Sequence, residues 1–279
     1  MSIGFIGLGN IGKPIARHLL KLGEAVHVHD VAAAPMQDLA AAGAIAEPTP
    51  SALARHCHHV GLCVRDDHDV EQLLYGRDGL LETLPKDAVI AVHSTVTQAA
   101  VLRWAADAQA RGLHLIDAPI TGGAGGAEAA TLCYLVGGDT AIVERARPVF
   151  MSSAHRLVHA GATGTGIALK LCNNLMTYAA FAAISEASAL ARASGLDPAL
   201  LIEVGRSNGV VTPQMEAFLS NRDKTAAAGA AALQQYFGPF GALGRKDLAA
   251  ALASAEKLGV RLPATEHLHG MIENVFLNR

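Results

Sequence analysis

The 279-residue chain has few aromatic side chains, 4% in all, and a single tryptophan, Trp104. So thin a supply argues against aromatic platforms for stacking bases. It also lacks any block of Lys and Arg; the formal charge of −3 is spread over both signs. That excludes the electrostatic footprint of a nucleic-acid binder. The four cysteines, Cys57, Cys63, Cys133 and Cys172, form no C-x-x-C pair. A chain of this length needs no disulfide staples, so they read as free thiols of a reducing compartment. The run His56-Cys57-His58-His59 has no second ligand group at zinc spacing, and no metal is expected there. A strand pattern begins at Ile3, leaving no room for a signal peptide. The longest apolar candidate, residues 175–193, is interrupted by Ser185, Glu186 and Arg192 and falls short of a membrane span. Together these absences predict a cytoplasmic protein without nucleic-acid or membrane partners.

What is present suffices for two domains with sizeable cores, since 51% of the residues are hydrophobic. Residues 3–6, 25–29, 60–64, 88–93, 113–116 and 132–136 read as strands, with helical spacing at 13–22, 36–42 and 101–110 between them. Strand and helix alternating at this pitch imply right-handed crossovers and a mostly parallel sheet. Near Gly161 the pattern changes. Residues 166–194 carry one long helical pattern without internal Gly or Pro, punctuated by Gly195 and Pro198. Beyond it only helices are predicted, at 200–205, 214–219, 224–237, 245–258 and 264–274. The expected architecture is α/β: a nucleotide-binding domain over residues 1–162, then an all-α domain over 163–279, joined by the long helix.

The first strand runs into Gly7-Leu8-Gly9-Asn10-Ile11-Gly12, which opens a helix. Here context turns a weak G-x-G-x-x-G into a specific sign of a Rossmann βαβ unit. Gly7 allows the tight turn, Gly9 lets a pyrophosphate approach the backbone, and Gly12 lets helix and strand pack closely. The helix N-terminus supplies amide donors and a favourable dipole. The second strand ends in Asp30, 18 residues beyond Gly12, where a carboxylate can accept hydrogen bonds from the adenosine ribose hydroxyls. Val31 follows, and no Arg in the turn could hold a 2′-phosphate. The expected cofactor is NAD.

Four motifs make the chain resemble the β-hydroxyacid dehydrogenase family over nearly its whole length. They are Gly4 to Gly12; Asp117-Ala118-Pro119-Ile120-Thr121-Gly122-Gly123 continuing to Thr131-Leu132; Gly161 to Gly166 leading to Lys170 and Asn173-Asn174; and Arg245-Lys246-Asp247-Leu248. The resemblance implies a Rossmann domain followed by a helical domain, and oxidation of a hydroxyl β to a carboxylate. Lys170 and Asn174 stand four apart on one helix and share a face, with Asn173 beside them. A lysine whose pKa is lowered by burial and by the nicotinamide cation can serve as general base for the hydroxyl proton, and as acid in reverse. Asn174 can hold the substrate hydroxyl and orient the lysine. Thr121-Gly122-Gly123 offers a hydroxyl and two unobstructed amides, a nest suited to a carboxylate. Thr121 replaces the Ser usual in the family, narrowing the pocket. The family also tends to carry Gly where Ala130 stands.

The resemblance further places Lys246 against cofactor and substrate, and Thr95 beside the nicotinamide. Val64 and Arg65, where the family often has Leu-Pro, should border the cofactor ribose. Arg206, Ser207, Asn208, Phe237 and Phe240 are candidate pocket walls of the helical domain. Cys172, two residues after Lys170, is expected in the core. The Ala-rich helices predict a homodimer or homotetramer. Three rivals share parts of this pattern. A decarboxylating phosphogluconate dehydrogenase resembles K-x-x-H-N at the lysine motif, whereas Lys170-x-x-Asn173-Asn174 stands here, and it is a longer chain. Imine or semialdehyde reductases share the fold, but imine reductases usually replace the lysine and prefer NADP. A non-catalytic dinucleotide-binding module would lose the lysine and add a reader domain.

Overall fold

The computed structural model describes residues 2–77 and 79–279. It divides into two compact units, one ending at Lys170 and one running from Leu171 to Arg279.

Among the described residues the first unit is built on nine strands: β1 (Ile3–Ile6), β2 (Val26–His29), β3 (Ile45–Ala46), β4 (His59–Leu62), β5 (Val89–Val92), β6 (His114–Asp117), β7 (Ile120–Thr121), β8 (Leu132–Gly137) and β9 (Ala154–Gly161). The order β3-β2-β1-β4-β5-β6 is parallel throughout. This is the doubly wound Rossmann order, whose direction of winding switches between β1 and β4. Both faces are covered, so alternate residues feed two cores. Phe5, Val28 and Ala91 pack with Tyr134 and Phe150 on one face. Ile6, Leu62, Val92 and Trp104 pack on the other. A parallel sheet buried on both sides explains why its strands read as continuous apolar runs.

The sheet is mixed beyond β6. β8 runs antiparallel to β6 and β7, and β9 pairs parallel with β8. The sequence reading missed β9, because His155, Arg156 and His159 break the apolar pattern of a strand that is only partly covered. It also missed the helices Asp67–Tyr75 and Thr140–Met151. Each is started by an Asp side chain: Asp66 accepts from Asp69 N–H, and Asp139 from the amides of Ala141 and Ile142.

The second unit is all helical. Thr165–Ala193 enters it from the first unit and is followed by Pro198–Ser207, Pro213–Ala227, Ala230–Leu258 and Pro263–Leu277. Two sequence expectations are corrected here. The predicted helix at 224–237 is split by Gly229, whose φ of 106° no helix tolerates. The predicted break before residue 245 does not occur, since one helix runs through Gly238 and Pro239 to Leu258. Gly241 and Gly244 are packing residues: a Cβ on either would press on Glu273 or Ile272 of the helix Pro263–Leu277. The core is an aromatic cluster in which Phe181 and Phe218 stack at 4.2 Å, with Phe276 set edge-on to both.

By length and composition Thr165–Ala193 could cross a membrane, contrary to the expectation that no apolar run is long enough. Leu171, Asn174, Tyr178, Phe181 and Ile184 form its buried stripe at helical period, which makes it the core helix of the second unit. Cys172 lies off that stripe and is exposed, not buried as expected.

Candidate functional site

The glycine turn sits at the C-terminal end of β1, at the switch point where doubly wound sheets bind their ligands. Gly7 has φ 93° and its amide is held by the His29 carbonyl at 3.1 Å. A Cβ there would strike the Cys63 carbonyl, and one on Gly12 would strike the Gly7 carbonyl. A Cβ on Gly9 would meet nothing within 4 Å. Two glycines therefore close the turn, and the third keeps its outer side open. A cleft of about 510 Å³ lies over it, lined by Leu8, Gly9 and Asn10, by Lys13 and Arg17 of the helix Gly12–Leu19, and by Glu128. The sequence reading missed Lys13, Arg17 and Glu128, which carry no motif of their own.

Asp30 follows β2, at the end of the first crossover. Its Oδ2 accepts the Leu8 amide at 2.6 Å and its Oδ1 the Ala32 amide at 2.8 Å. The carboxylate is thereby fixed against the glycine turn. Val31, fully exposed, and Ala32, Ala33 and Ala34 bring no cation to it. An open backbone cradle beside a fixed strand-end carboxylate fits a dinucleotide.

The loops after β4 and β5 are tied together by Ser94. Its hydroxyl accepts the Val64 amide at 2.9 Å and donates to the Val64 carbonyl at 2.8 Å. This fixes Val64 beside Gly7 and holds the half-buried Thr95 next to it in sequence. Arg65 is forked onto Asp69, with two N–H···O bonds of 2.7 Å, and its side chain is 83% exposed.

Thr121 ends β7, and Gly122 and Gly123 follow at φ 125° and 65°. Both are left-handed, so the two amides turn away from strand geometry, and a Cβ on Gly123 would meet open space. The short helix Gly123–Glu128 then ends on His18, whose Nε2 lies 3.0 Å from the Ala127 carbonyl and 3.1 Å from that of Glu128. That imidazole ties the Thr121-Gly122-Gly123 turn to the helix of the glycine turn. Ala130 takes φ 56°, a left-handed conformation that accounts for the family's preference for Gly there.

The long helix carries Lys170 in its second turn, Asn173 nearly a turn later and Asn174 a full turn later. In the second unit Asn174 is buried, and its Nδ2 donates to Asp247 Oδ2 at 2.8 Å. Tyr178 donates to the same oxygen at 3.0 Å, and the Lys246 ammonium lies 3.2 Å from Asp247 Oδ1. The sequence motifs contained Asp247 but gave it no role, and Tyr178 was missed. A polar Asn and Tyr at i, i+4 inside an apolar stripe were the available signal. Among the expected pocket walls, Arg206 is forked onto Glu216, Phe240 is exposed, and Phe237 belongs to the aromatic core. Phe237 stacks edge-on against Phe218, which corrects its reading as a pocket wall.

Comparison with known proteins follows the same division. Residues 2–161 match the family described as the NAD binding domain of 6-phosphogluconate dehydrogenase. Residues 164–277 match that described as NAD-binding of NADP-dependent 3-hydroxyisobutyrate dehydrogenase. The chain is 35% identical to 3-hydroxyisobutyrate dehydrogenase of Pseudomonas aeruginosa over 99% of its own length and 91% of that protein. It is 36% identical to the NAD-dependent L-serine dehydrogenase of the same organism, over 74% of this chain and 69% of the other. Among solved structures, Mycobacterium tuberculosis 3-hydroxyisobutyrate dehydrogenase with L-serine superposes with a TM-score of 0.83 at 26% identity, covering 99% and 98% of the two chains.

Proposed function

Because the chain belongs to the β-hydroxyacid dehydrogenase family that includes 3-hydroxyisobutyrate dehydrogenase, an NAD(P)-binding group of oxidoreductases acting on CH–OH donors, we propose that it oxidises a small β-hydroxyacid with NAD. The product is the semialdehyde or 3-oxoacid, and the same residues serve the reverse reduction. The observation that carries this reading is Lys170, with Asn174 one turn on, in a chain that also builds an open glycine turn beside a fixed strand-end acid.

NAD, when bound, supplies the nicotinamide that accepts the hydride. Gly7, Leu8, Gly9, Asn10, Ile11 and Gly12 would cradle its pyrophosphate, and Asp30 would take the adenosine ribose hydroxyls. The carboxylate at this position, with only Val31 and alanines after it, favours NAD over NADP, since a 2′-phosphate would meet a negative charge and no cation from the turn that follows β2. Val64, Arg65 and Thr95 would border the cofactor, with Lys246 contributing a cation.

Lys170, neutral, takes the proton from the substrate hydroxyl as the C–H bond breaks, and the ammonium returns it to the carbonyl oxygen in the reduction. Thr121, Gly122 and Gly123 hold the substrate carboxylate through one hydroxyl and two left-handed amides. Asn173 lines the substrate. Asn174 commits one amide hydrogen to Asp247, which orients its second amide hydrogen to donate to the substrate hydroxyl oxygen while the hydroxyl proton goes to Lys170. The two named substrates of the relatives, 3-hydroxyisobutyrate and L-serine, share the frame HO–CH2–CHR–COO⁻, and we assign that frame as the substrate class. The extra methyl of Thr121 selects for a compact R group. Exposed Met176, Leu190 and Leu200 on the second unit's helices support self-association, and the four free thiols suit the cytoplasm.

Lys170→Ala tests the assignment. Turnover of the best hydroxyacid should fall by about a thousandfold, while NADH binding, read from cofactor fluorescence, stays within about twofold. Activity near that of the unmodified enzyme removes Lys170 from the role.

A further inference from the structure

The mechanism leaves one buried acid without a task. Asp117 stands at the C-terminal end of β6, 1% exposed. Its side chain makes two bonds to the start of the next structural segment: Gly164 N–H donates to Oδ1 at 2.7 Å, and Ile167 N–H to Oδ2 at 2.7 Å. These amides flank Thr165, where the long helix begins. The first amides of a helix have no partner within it, and here a carboxylate nearly fifty residues upstream supplies one. Burial raises the Asp117 pKa, and the backbone amides of Gly164, Ile167, Asp117 itself and Gly166 oppose that rise.

The crossing allows no slack. A Cβ on Gly137 would stand 2.6 Å from Asp117 Oδ1 and 2.8 Å from the Gly166 amide, and one on Gly166 would stand 2.7 Å from the Gly137 amide. Backbone therefore lies on backbone, with the Asp117 carboxylate against Gly137 and the Asp117 carbonyl against Gly166. Lys170 follows three residues after Ile167, about 4.5 Å farther along the helix axis.

We propose that Asp117 is a positioning residue: by clamping the first turn of the long helix to the end of β6, it fixes where the Lys170 side chain starts and so where its proton transfer occurs. The proposal rests on the reading of Lys170 as the acid/base. A capping carboxylate that only stabilised the fold could be replaced by any helix start. This one joins the strand that leads into the Thr121-Gly122-Gly123 turn to the helix that bears Lys170, so it sets the spacing between carboxylate nest and base. Displacements on the ångström scale at such a spacing cost about a hundredfold in rate.

The test is Asp117→Asn, which keeps the shape but offers only one acceptor oxygen to the two amides. Expected, per NADH-binding site, is a tenfold to hundredfold fall in kcat, with the substrate KM and the NADH dissociation constant within about threefold. The solvent deuterium isotope effect on kcat should rise as proton transfer becomes limiting. A purely structural role lowers the number of NADH-binding sites and leaves kcat per site and the isotope effect unchanged, and that result overturns the proposal. Lys170→Ala measured alongside separates the two readings. If Lys170→Ala is inactive and Asp117→Asn behaves like the unmodified enzyme, only the clamp is wrong. If Lys170→Ala is active, the acid/base reading fails and the clamp's catalytic role fails with it. Should Asp117→Asn not fold, hydrogen exchange on the unmodified chain decides. The amides of Gly164 and Ile167 should exchange at least a hundredfold more slowly than their unfolded rates, and rapid exchange of both overturns the clamp.

Discussion

Replacing His59 by Leu should make the first unit markedly less sensitive to acid. His59 begins β4, is 3% exposed, meets Phe150 edge-on at 5.8 Å, and leaves its Nε2 without a partner. Burial, with smaller contributions from His93 and Arg145, pushes its pKa down to about 3. His93, stacked on Phe5 at 5.7 Å and donating from Nδ1 to the Ala118 carbonyl at 2.9 Å, is pushed by burial to about 4. Both imidazoles stay neutral in the folded chain and protonate near 6.5 in the unfolded one. Their contribution is therefore fully present above pH 6.5 and lost as the pH falls toward the folded values. Each unit below 6.5 costs about 1.4 kcal/mol per histidine, so from pH 7 to pH 5 each removes about 2 kcal/mol and the pair about 4 kcal/mol. Against a total stability of about 5–15 kcal/mol, that loss is large. His59→Leu should halve the histidine-linked loss while changing stability at pH 7 by about 1 kcal/mol or less, because the buried Nε2 it removes has no bond to lose. Urea unfolding followed by the emission of buried Trp104, at pH 7 and pH 5, reports on this unit directly. An equal loss in variant and unmodified protein between the two pH values refutes the reasoning.

Two further substitutions test other parts of the structure. Ala130→Gly should raise stability by about 1 kcal/mol, since it relieves a left-handed alanine at φ 56°; thermal unfolding checks it, and a lower midpoint contradicts it. Arg222 is buried, donates to Ser185 Oγ at 2.6 Å and to the Val275 carbonyl at 3.0 Å, and lies over the Phe218 ring. Arg222→Ala should cost the second unit about 3 kcal/mol by leaving a cavity and unpaired acceptors, whereas Arg222→Met, which fills the space without a buried charge, should cost about 1 kcal/mol; equal losses measured in urea would show that packing plays no part.

Much of the nucleotide-binding unit could be read from the sequence because its rules are local. A turn that must pass under the Cys63 carbonyl demands glycine at position 7, and an acid at the end of β2 is visible as Asp30. The alternation of strands and helices was equally local. What escaped depended on partners far along the chain. Helix Ala230–Leu258 keeps Pro239 and three glycines because the helix Pro263–Leu277 packs on Gly241 and Gly244, which no window of sequence shows. The sharing of Asp247 by Asn174 and Tyr178, and the clamp of Asp117 on Gly164 and Ile167, join residues about fifty to seventy apart. Ala130 shows the intermediate case: its departure from the family's Gly was visible, and the backbone angle supplies the reason.

The central claim, oxidation of a compact β-hydroxyacid with NAD, is tested most directly by steady-state kinetics on a panel of hydroxyacids with each cofactor, following the absorbance of reduced nicotinamide. The account predicts turnover of compounds with the HO–CH2–CHR–COO⁻ frame, and kcat/KM with NAD at least about tenfold above that with NADP, as expected of a fixed strand-end carboxylate at Asp30. A preference for NADP, or no oxidation of any such compound by correctly folded enzyme that binds NADH, would contradict it.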